Sequence, residues 1–360
     1  MERVYNFSAG PAVIDESVLQ KAASELFCYP GKGMSVLEMS HRTGMFMDIY
    51  NSAIALFREV MGVPDTHELL FLHGGATMQF AGVPLNLLTG SRVADYLDTG
   101  NFAHLAAEEA KKYGTVNTIA SSRADNYTYI PSLAGLLFTP EADYVHITTN
   151  NTIYGTRFVA LPDTGSVPLV ADASSNILSE PMDVSRFGVI YAGAQKNIGP
   201  AGVAVLIVRR DLLGKASPQC PKVLDWALQS KNESMLNTPN TFAIYMVKLV
   251  CEWMKEAGGV PAFYERNLAK AKLLYDAIDA SKLFTNPVQP QYRSLMNVTF
   301  VTGDEAKDDA FCKFCQKNGV ANIKGHRNVG GMRASIYNAM PMAGVQKLVD
   351  LMAQFEKEAL

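Results

Sequence analysis

The sequence predicts an α/β protein with a large domain built on a seven-stranded, mostly parallel sheet and a smaller α/β domain towards the C-terminal end. Three observations carry that prediction. Seven short apolar runs alternate with helically periodic segments or with turns rich in glycine and proline. One connection between two of those runs is too short to hold a helix. A double-glycine break then precedes a second, shorter set of elements.

In chain order, Asp15 is placed to cap a helix running to about Phe27. Ile49, Ala53, Leu56, Phe57 and Val60 recur at helical spacing, and Gly62 and Pro64 end that segment. The apolar runs follow at Leu69 to Leu72, Val93 to Leu97, Val116 to Ala120, Tyr144 to Thr148, Pro168 to Ala171, Val189 to Ala192 and Val203 to Val208, with a helix over Phe102 to Tyr113. Only Gly193 to Gly202 separates the last two runs. A parallel crossover needs a dozen or more residues, so these two strands are predicted to be antiparallel neighbours joined by a tight loop. A helix over Phe242 to Glu256 ends at Gly258-Gly259, followed by Val260-Pro261. Beyond it come a helix (Phe263 to Ala280), a strand (Met296 to Val301), an amphipathic helix (Glu305 to Asn318), a strand (Met332 to Tyr337) and a last helix (Met342 to Glu358). The division expected is 16–259 for the large domain and 1–15 with 260–360 for the small one.

Composition narrows the function. At 360 residues the chain can bury a sizeable core, with 48% hydrophobic and 19% charged residues. The formal charge of −3 argues against a general nucleic-acid binder, so any basic site must be local. No apolar stretch approaches the roughly 18 residues of a membrane-spanning helix. Met1 to Asn6 precede no apolar run that could act as a signal, so a cytoplasmic protein is expected. Cys28, Cys220, Cys251, Cys312 and Cys315 are odd in number and scattered, which suits reduced thiols. The single Cys312-x-x-Cys315 lacks a second pair or suitably spaced histidines, and no metal site is expected.

Three segments carry candidate chemistry. In Phe71-Leu72-His73-Gly74-Gly75-Ala76-Thr77-Met78-Gln79-Phe80 a strand runs through two glycines into a helix start, gathering free N–H groups where an anion can bind. The plain alternative is a βα turn with no ligand. In Leu169-Val170-Ala171-Asp172-Ala173-Ser174-Ser175 a carboxylate follows an apolar run, where open α/β sheets bind ligands, or else it merely caps a turn. Lys196, inside the tight loop Ala192 to Gly202, has small and apolar neighbours and no nearby acid. Desolvation would lower its pKa and free the amine for an imine, although most lysines are only solvated charges. An anion cradle, a carboxylate at a strand end and an unpaired lysine together are what a pyridoxal phosphate site needs.

These residues carry a family resemblance. The loop Ala192 to Gly202, His41-Arg42, Gly74 to Phe80, Asn6-Phe7-Ser8-Ala9-Gly10-Pro11, His326-Arg327 and Arg333 resemble the phosphoserine aminotransferases, class-V enzymes of the fold type I pyridoxal-phosphate-dependent transferases, over nearly the whole chain. The resemblance implies that Lys196 holds pyridoxal 5'-phosphate as an imine and that Asp172 pairs with the pyridine nitrogen. Ser174 and Thr152 would bond around the ring hydroxyl and the carboxylate, and Ala76, Thr77 and Gln195 would hold the phosphate. Asn237 and Thr238 would reach the cofactor phosphate of a partner subunit, making a homodimer with active sites at its interface. Asn237 to Thr241 equally reads as an N-terminal cap before the helix at Phe242, and both readings can hold. Two positions depart from the family pattern. Phe102 stands where a tryptophan often stacks on the ring, and Ala76-Thr77 stands where some members have an arginine.

The implied reaction moves an amino group between L-glutamate and 3-phosphohydroxypyruvate, giving O-phospho-L-serine and 2-oxoglutarate in serine biosynthesis. 4-Phosphohydroxy-L-threonine, of vitamin B6 biosynthesis, is a possible further substrate. Arg333 would hold the α-carboxylate and His41, Arg42, His326 and Arg327 the side-chain phosphate, some of them from the other subunit. Small molecules are thus the expected partners, with neither nucleic acid nor membrane. Cysteine desulfuration on the same scaffold would need a mobile, exposed thiol from Cys312 or Cys315, whose helical spacing suits a core better. A non-catalytic binder would have no use for the imine lysine, and no Gly-x-Gly-x-x-Gly follows a strand to support a nicotinamide enzyme.

Overall fold

A computed structural model describes residues 3–359. Met1, Glu2 and Leu360, which belong to the expected small domain and, for the first two, to the opening hexapeptide, lie outside the described residues. In chain order the elements are β1 (Tyr5–Asn6), α1 (Glu16–Leu26), α2 (Gly44–Met61), β2 (His67–His73), α3 (Ala76–Leu87), β3 (Val93–Asp98), α4 (Asn101–Ala110), β4 (Thr115–Ser121), β5 (Tyr144–Thr148), β6 (Asn150–Asn151), β7 (Thr156–Arg157), β8 (Leu169–Asp172), β9 (Val189–Gly193), β10 (Val203–Arg209), α5 (Trp226–Lys231), α6 (Thr241–Glu256), α7 (Gly259–Ala280), β11 (Asn297–Phe300), α8 (Glu305–Lys317), β12 (Val320–Ala321), β13 (Met332–Ser335) and α9 (Met342–Ala359).

The seven apolar runs form one seven-stranded sheet in the order β2-β10-β9-β8-β5-β3-β4. β10 pairs antiparallel with both β9 and β2, whereas β9, β8, β5, β3 and β4 are parallel to one another. The short Gly193 to Gly202 connection thus joins antiparallel neighbours, as its length requires. Alternation along the buried strands supplies two faces. Phe71, Val145, Ala171, Ile190 and Val205 pack with α2 and α6, while Leu72, Tyr144, Val170, Tyr191 and Leu206 pack with α3 and α4.

Caps set the element ends. Asp15 accepts the Ser17 N–H at 2.9 Å and starts α1, and Gly62, at φ +70°, ends α2. One expectation needs correcting: α7 begins at Gly259 rather than Phe263. Gly258, at φ +99°, turns the chain at once, and Pro261 falls in the first turn of a helix, where a missing N–H costs no bond. Val260 and Phe263, at the start of α7, join the large core, whereas Ala271, Leu274, Tyr275 and Ile278 join a separate core with α8, α9, β11 and β13. Two further strands, β1 and β12, pair parallel over two residues each and bring the N-terminal segment onto this second unit.

Candidate active site

Three strand ends and one loop converge on a cavity of about 110 Å³ lined by Ala76, Thr77, Phe102, Thr152, Asp172, Ser174, Gln195 and Lys196, together with Gly75, Phe80, Thr148, Asn150 and Ser175. The lining follows from the topology. Thr148 and Asp172 end the adjacent parallel strands β5 and β8, and Lys196 follows the end of β9, the next strand along. Ligands in open parallel sheets bind at these strand ends.

Lys196 Nζ donates to Thr152 Oγ1 at 2.6 Å and lies 5.7 Å from the centre of the Phe102 ring. Burial, helped by the nearby Arg333 cation, pulls its pKa down to about 8, and the Asp172 carboxylate offsets part of that shift. Asp172 is 4% exposed and accepts the Ser174 N–H at 2.9 Å. Burial raises its pKa, while the Ser174 bonds and Lys196 pull it back down. Ser174 Oγ accepts the Gly193 N–H at 3.0 Å and so ties the turn after β8 to the end of β9. Ala76 and Thr77 open α3, whose cap, Gly75, provides no side-chain hydrogen bond for the first N–H groups. That helix start is therefore available to an anion.

The N-terminal segment braces the lysine loop. Ala12 N–H donates to the Gln195 carbonyl at 2.8 Å, and a Cβ on Gly10, at φ +150°, would stand 3.3 Å from Gln195 Cγ. The Ser8 to Pro11 opening therefore touches the loop that carries Lys196 across nearly two hundred residues of sequence. On the other side, Arg333 sits half-buried on β13, with Nη1 donating to the Thr152 carbonyl at 3.4 Å and Nε buried without a partner.

The other predicted residues do not line the cavity of the single chain. Asn237 and Thr238 are exposed in the loop before α6, and Arg42 and Arg327 are exposed as well. His41 and His326 are half-buried. His326 Nδ1 accepts the Asn328 N–H at 3.2 Å, and burial together with Arg333 and Arg327 lowers its pKa. Cys312 and Cys315 lie on α8, outside the cavity, and burial pushes their thiols up to about 11 and about 12. Neither is a ready nucleophile. Thr148 and Asn150 were not foreseen, and Phe80 and Ser175, at the ends of two candidate segments, had been given no role of their own. The reasoning that singled out Asp172, a polar group at the end of an apolar run, also applies to Thr148 and Asn150.

The family model described as aminotransferase class-V matches residues 4–348. The chain belongs to the class-V aminotransferases. Within this class it is 55% identical over 358 residues to a phosphoserine aminotransferase of Bacillus cereus, with 99% of each chain covered. The solved phosphoserine aminotransferase from Bacillus circulans subsp. alkalophilus superposes on this aminotransferase with a TM-score of 0.98 at 44% identity, covering 100% of both chains. The PLP-bound phosphoserine aminotransferase from Trichomonas vaginalis gives a TM-score of 0.93 at 39% identity, over 98% of this chain and 100% of the other.

Proposed function

We propose that this aminotransferase binds pyridoxal 5'-phosphate in the cavity around Lys196 and transfers an amino group between L-glutamate and 3-phosphohydroxypyruvate, giving O-phospho-L-serine and 2-oxoglutarate. One observation carries the reading: a lysine with a lowered pKa shares one small cavity with a buried carboxylate, and an arginine stands at its edge. The residues fit the cofactor. The buried Asp172 carboxylate, raised by desolvation, suits a protonated ring nitrogen, and the uncapped start of α3 suits a phosphate. Thr148 Oγ1 is buried without a partner on the cavity wall.

When bound, pyridoxal phosphate supplies an electron-withdrawing ring that takes up the charge left by Cα–H cleavage and carries the amino group between half-reactions. Lys196 is the residue that would hold the cofactor covalently, and the amino group of glutamate would take its place there. Lys196 Nζ would then accept the proton from the glutamate Cα and pass it to the cofactor, and would return a proton from the cofactor to Cα when 3-phosphohydroxypyruvate is aminated. Thr152 Oγ1 aims that amine. Asp172 would keep the ring nitrogen protonated, Ser174 fixes Asp172, and Phe102, on the cavity wall, would cover the ring. Ala76, Thr77 and Gln195 hold the cofactor phosphate, and Asn237 and Thr238 reach it from a second copy in a homodimer. Arg333 binds the α-carboxylate with its fork, and His41, Arg42, His326 and Arg327 bind the substrate phosphate. 4-Phosphohydroxy-L-threonine has the same charged groups and is the second substrate to assay. No helix among the described residues is long and apolar enough to cross a membrane.

Near-visible absorbance of the purified protein and of Lys196→Ala, before and after O-phosphoserine, tests this. The cofactor band should be present in the wild type and altered in the variant, and it should shift with O-phosphoserine but not with alanine. A colourless protein that cannot be reconstituted sinks the cofactor reading. A yellow one indifferent to O-phosphoserine sinks the substrate.

A further inference from the structure

We propose that Asn297 is a positioning residue for substrate carboxylate binding, acting through Arg333. This rests on the reading of Arg333 given above. β11 and β13 form a two-stranded antiparallel ribbon with Asn297 opposite Ser335 and Thr299 opposite Arg333. Strand alternation therefore puts Asn297, Thr299, Arg333 and Ser335 on one face and Val298, Phe300, Met332 and Ala334 on the other. The apolar face is fully in the second core. The polar face is turned to the cavity wall, where Arg333 reaches the Thr152 carbonyl and Thr299 Oγ1 donates to the Tyr154 carbonyl at 3.3 Å.

Asn297 pins this ribbon in place. Its side chain is wholly buried, and its Oδ1 and both Nδ2 hydrogens are engaged by defined groups. Oδ1 accepts from Asn150 Nδ2 at 2.9 Å, and Nδ2 donates to Ser335 Oγ at 3.0 Å and to Tyr337 OH at 3.1 Å. Asn150 lines the cavity, and its Oδ1 accepts from Ser294 Oγ at 2.6 Å. Tyr337 OH donates in turn to the Ala9 carbonyl at 2.8 Å, in the segment that braces the lysine loop. A fully satisfied buried network specifies one geometry, because any shift leaves a buried group unpaired. Apolar packing alone would let the ribbon slide on the wall. This network fixes where the Arg333 strand stands relative to Asn150, and with it the distance between the arginine fork and Lys196. Arg333 Nε, buried and unpartnered, is left for the substrate.

The test is a double-mutant cycle on the holoenzyme with Asn297→Ala, Arg333→Ala and the double variant, reading KM and kcat for glutamate and for O-phosphoserine together with bound cofactor. Asn297→Ala should raise both KM values about tenfold, the loss of roughly one net buried hydrogen bond. Cofactor content and kcat should stay within about twofold of wild type, and the added effect on top of Arg333→Ala should be less than about twofold. Unchanged KM values, or effects that simply multiply with Arg333→Ala, would overturn the proposal. Arg333→Ala leaving both KM values unchanged would instead overturn the carboxylate role of Arg333 itself, and the inference with it. Ser335→Ala removes only one bond to Asn297 and carries the same test, with a two- to threefold rise expected, if Asn297→Ala gives no soluble holoenzyme.

Discussion

At the scale of single residues, Lys196 and Asp172 have opposite problems with the same solution. Each is charged in water and each is buried, so each shifts towards neutrality, and each holds the other back. The depressed lysine pKa gives a pH prediction. The folded value lies below the ordinary 10.5, so between about 8 and 10.5 the unfolded chain binds more protons than the native one, and this group's contribution to stability rises with pH across that window. The same free amine must attack the cofactor aldehyde. Reconstitution of apoenzyme with pyridoxal phosphate should therefore accelerate with a midpoint near 8; a midpoint near 10.5 would mark Lys196 as an ordinary solvated lysine. Asp172→Ala should cripple turnover far more than cofactor retention, measured as kcat against bound cofactor after dialysis. Wild-type turnover in that variant would remove its role. Lys196 and Asp172 were legible in sequence because strand-end chemistry follows from topology. Arg333 was not legible without the resemblance, since nothing local distinguishes an arginine on a short strand from one on the surface.

At the scale of elements, long periodic segments and apolar runs were legible to within a few residues, because burial on one or both faces dictates their composition. The short elements were not. β1, β12, β6 and β7 have two residues each, too few for any period, and they exist because distant chain segments meet. The start of α7 was misplaced for a related reason: Gly258-Gly259 followed by a proline reads as an interruption, yet a proline in the first turn is compatible with a helix. The wall that faces β11 and β13 has a requirement of its own at Gly155. That residue sits at φ +77°, and a Cβ there would fall 2.9 Å from both the Asn297 carbonyl and Thr299 Oγ1. Gly155→Ala should destabilise the fold by about 1–3 kcal/mol, through the left-handed backbone and the forced retreat of the ribbon. Urea unfolding checks this, and an unchanged midpoint would show that the ribbon does not depend on close approach.

At the scale of the whole molecule, α7 enters the large core at one end and the second core at the other, with Asn267 and Lys270 at the crossing. Lys270, 2% exposed, donates to the carbonyls of Ile336, Tyr337 and Met340 within the second unit, while Asn267 Nδ2 donates to the Ser179 carbonyl at 3.0 Å and Asn338 Nδ2 to the Leu178 carbonyl at 2.9 Å, reaching into the large one. If the chain divides as proposed into 16–259 and 1–15 with 260–360, relative motion of the two units has to rearrange the bonds to Ser179 and Leu178. The single chain also leaves the site open. Its cavity provides the lysine, the carboxylate and the helix start, while Asn237 and Thr238 face solvent. If those two residues serve the other subunit's cofactor, complementation follows. Lys196→Ala is inactive in its own site but can lend Asn237 and Thr238 to a partner. A chain with both Asn237→Ala and Thr238→Ala keeps its lysine and should lose most activity as a homodimer. Unfolded together and refolded at equal amounts, half of the dimers are mixed and one site in each is complete, so activity should return to about a quarter of wild type. Activity no higher than the mean of the two separate variants would mean that each site is completed within its own chain.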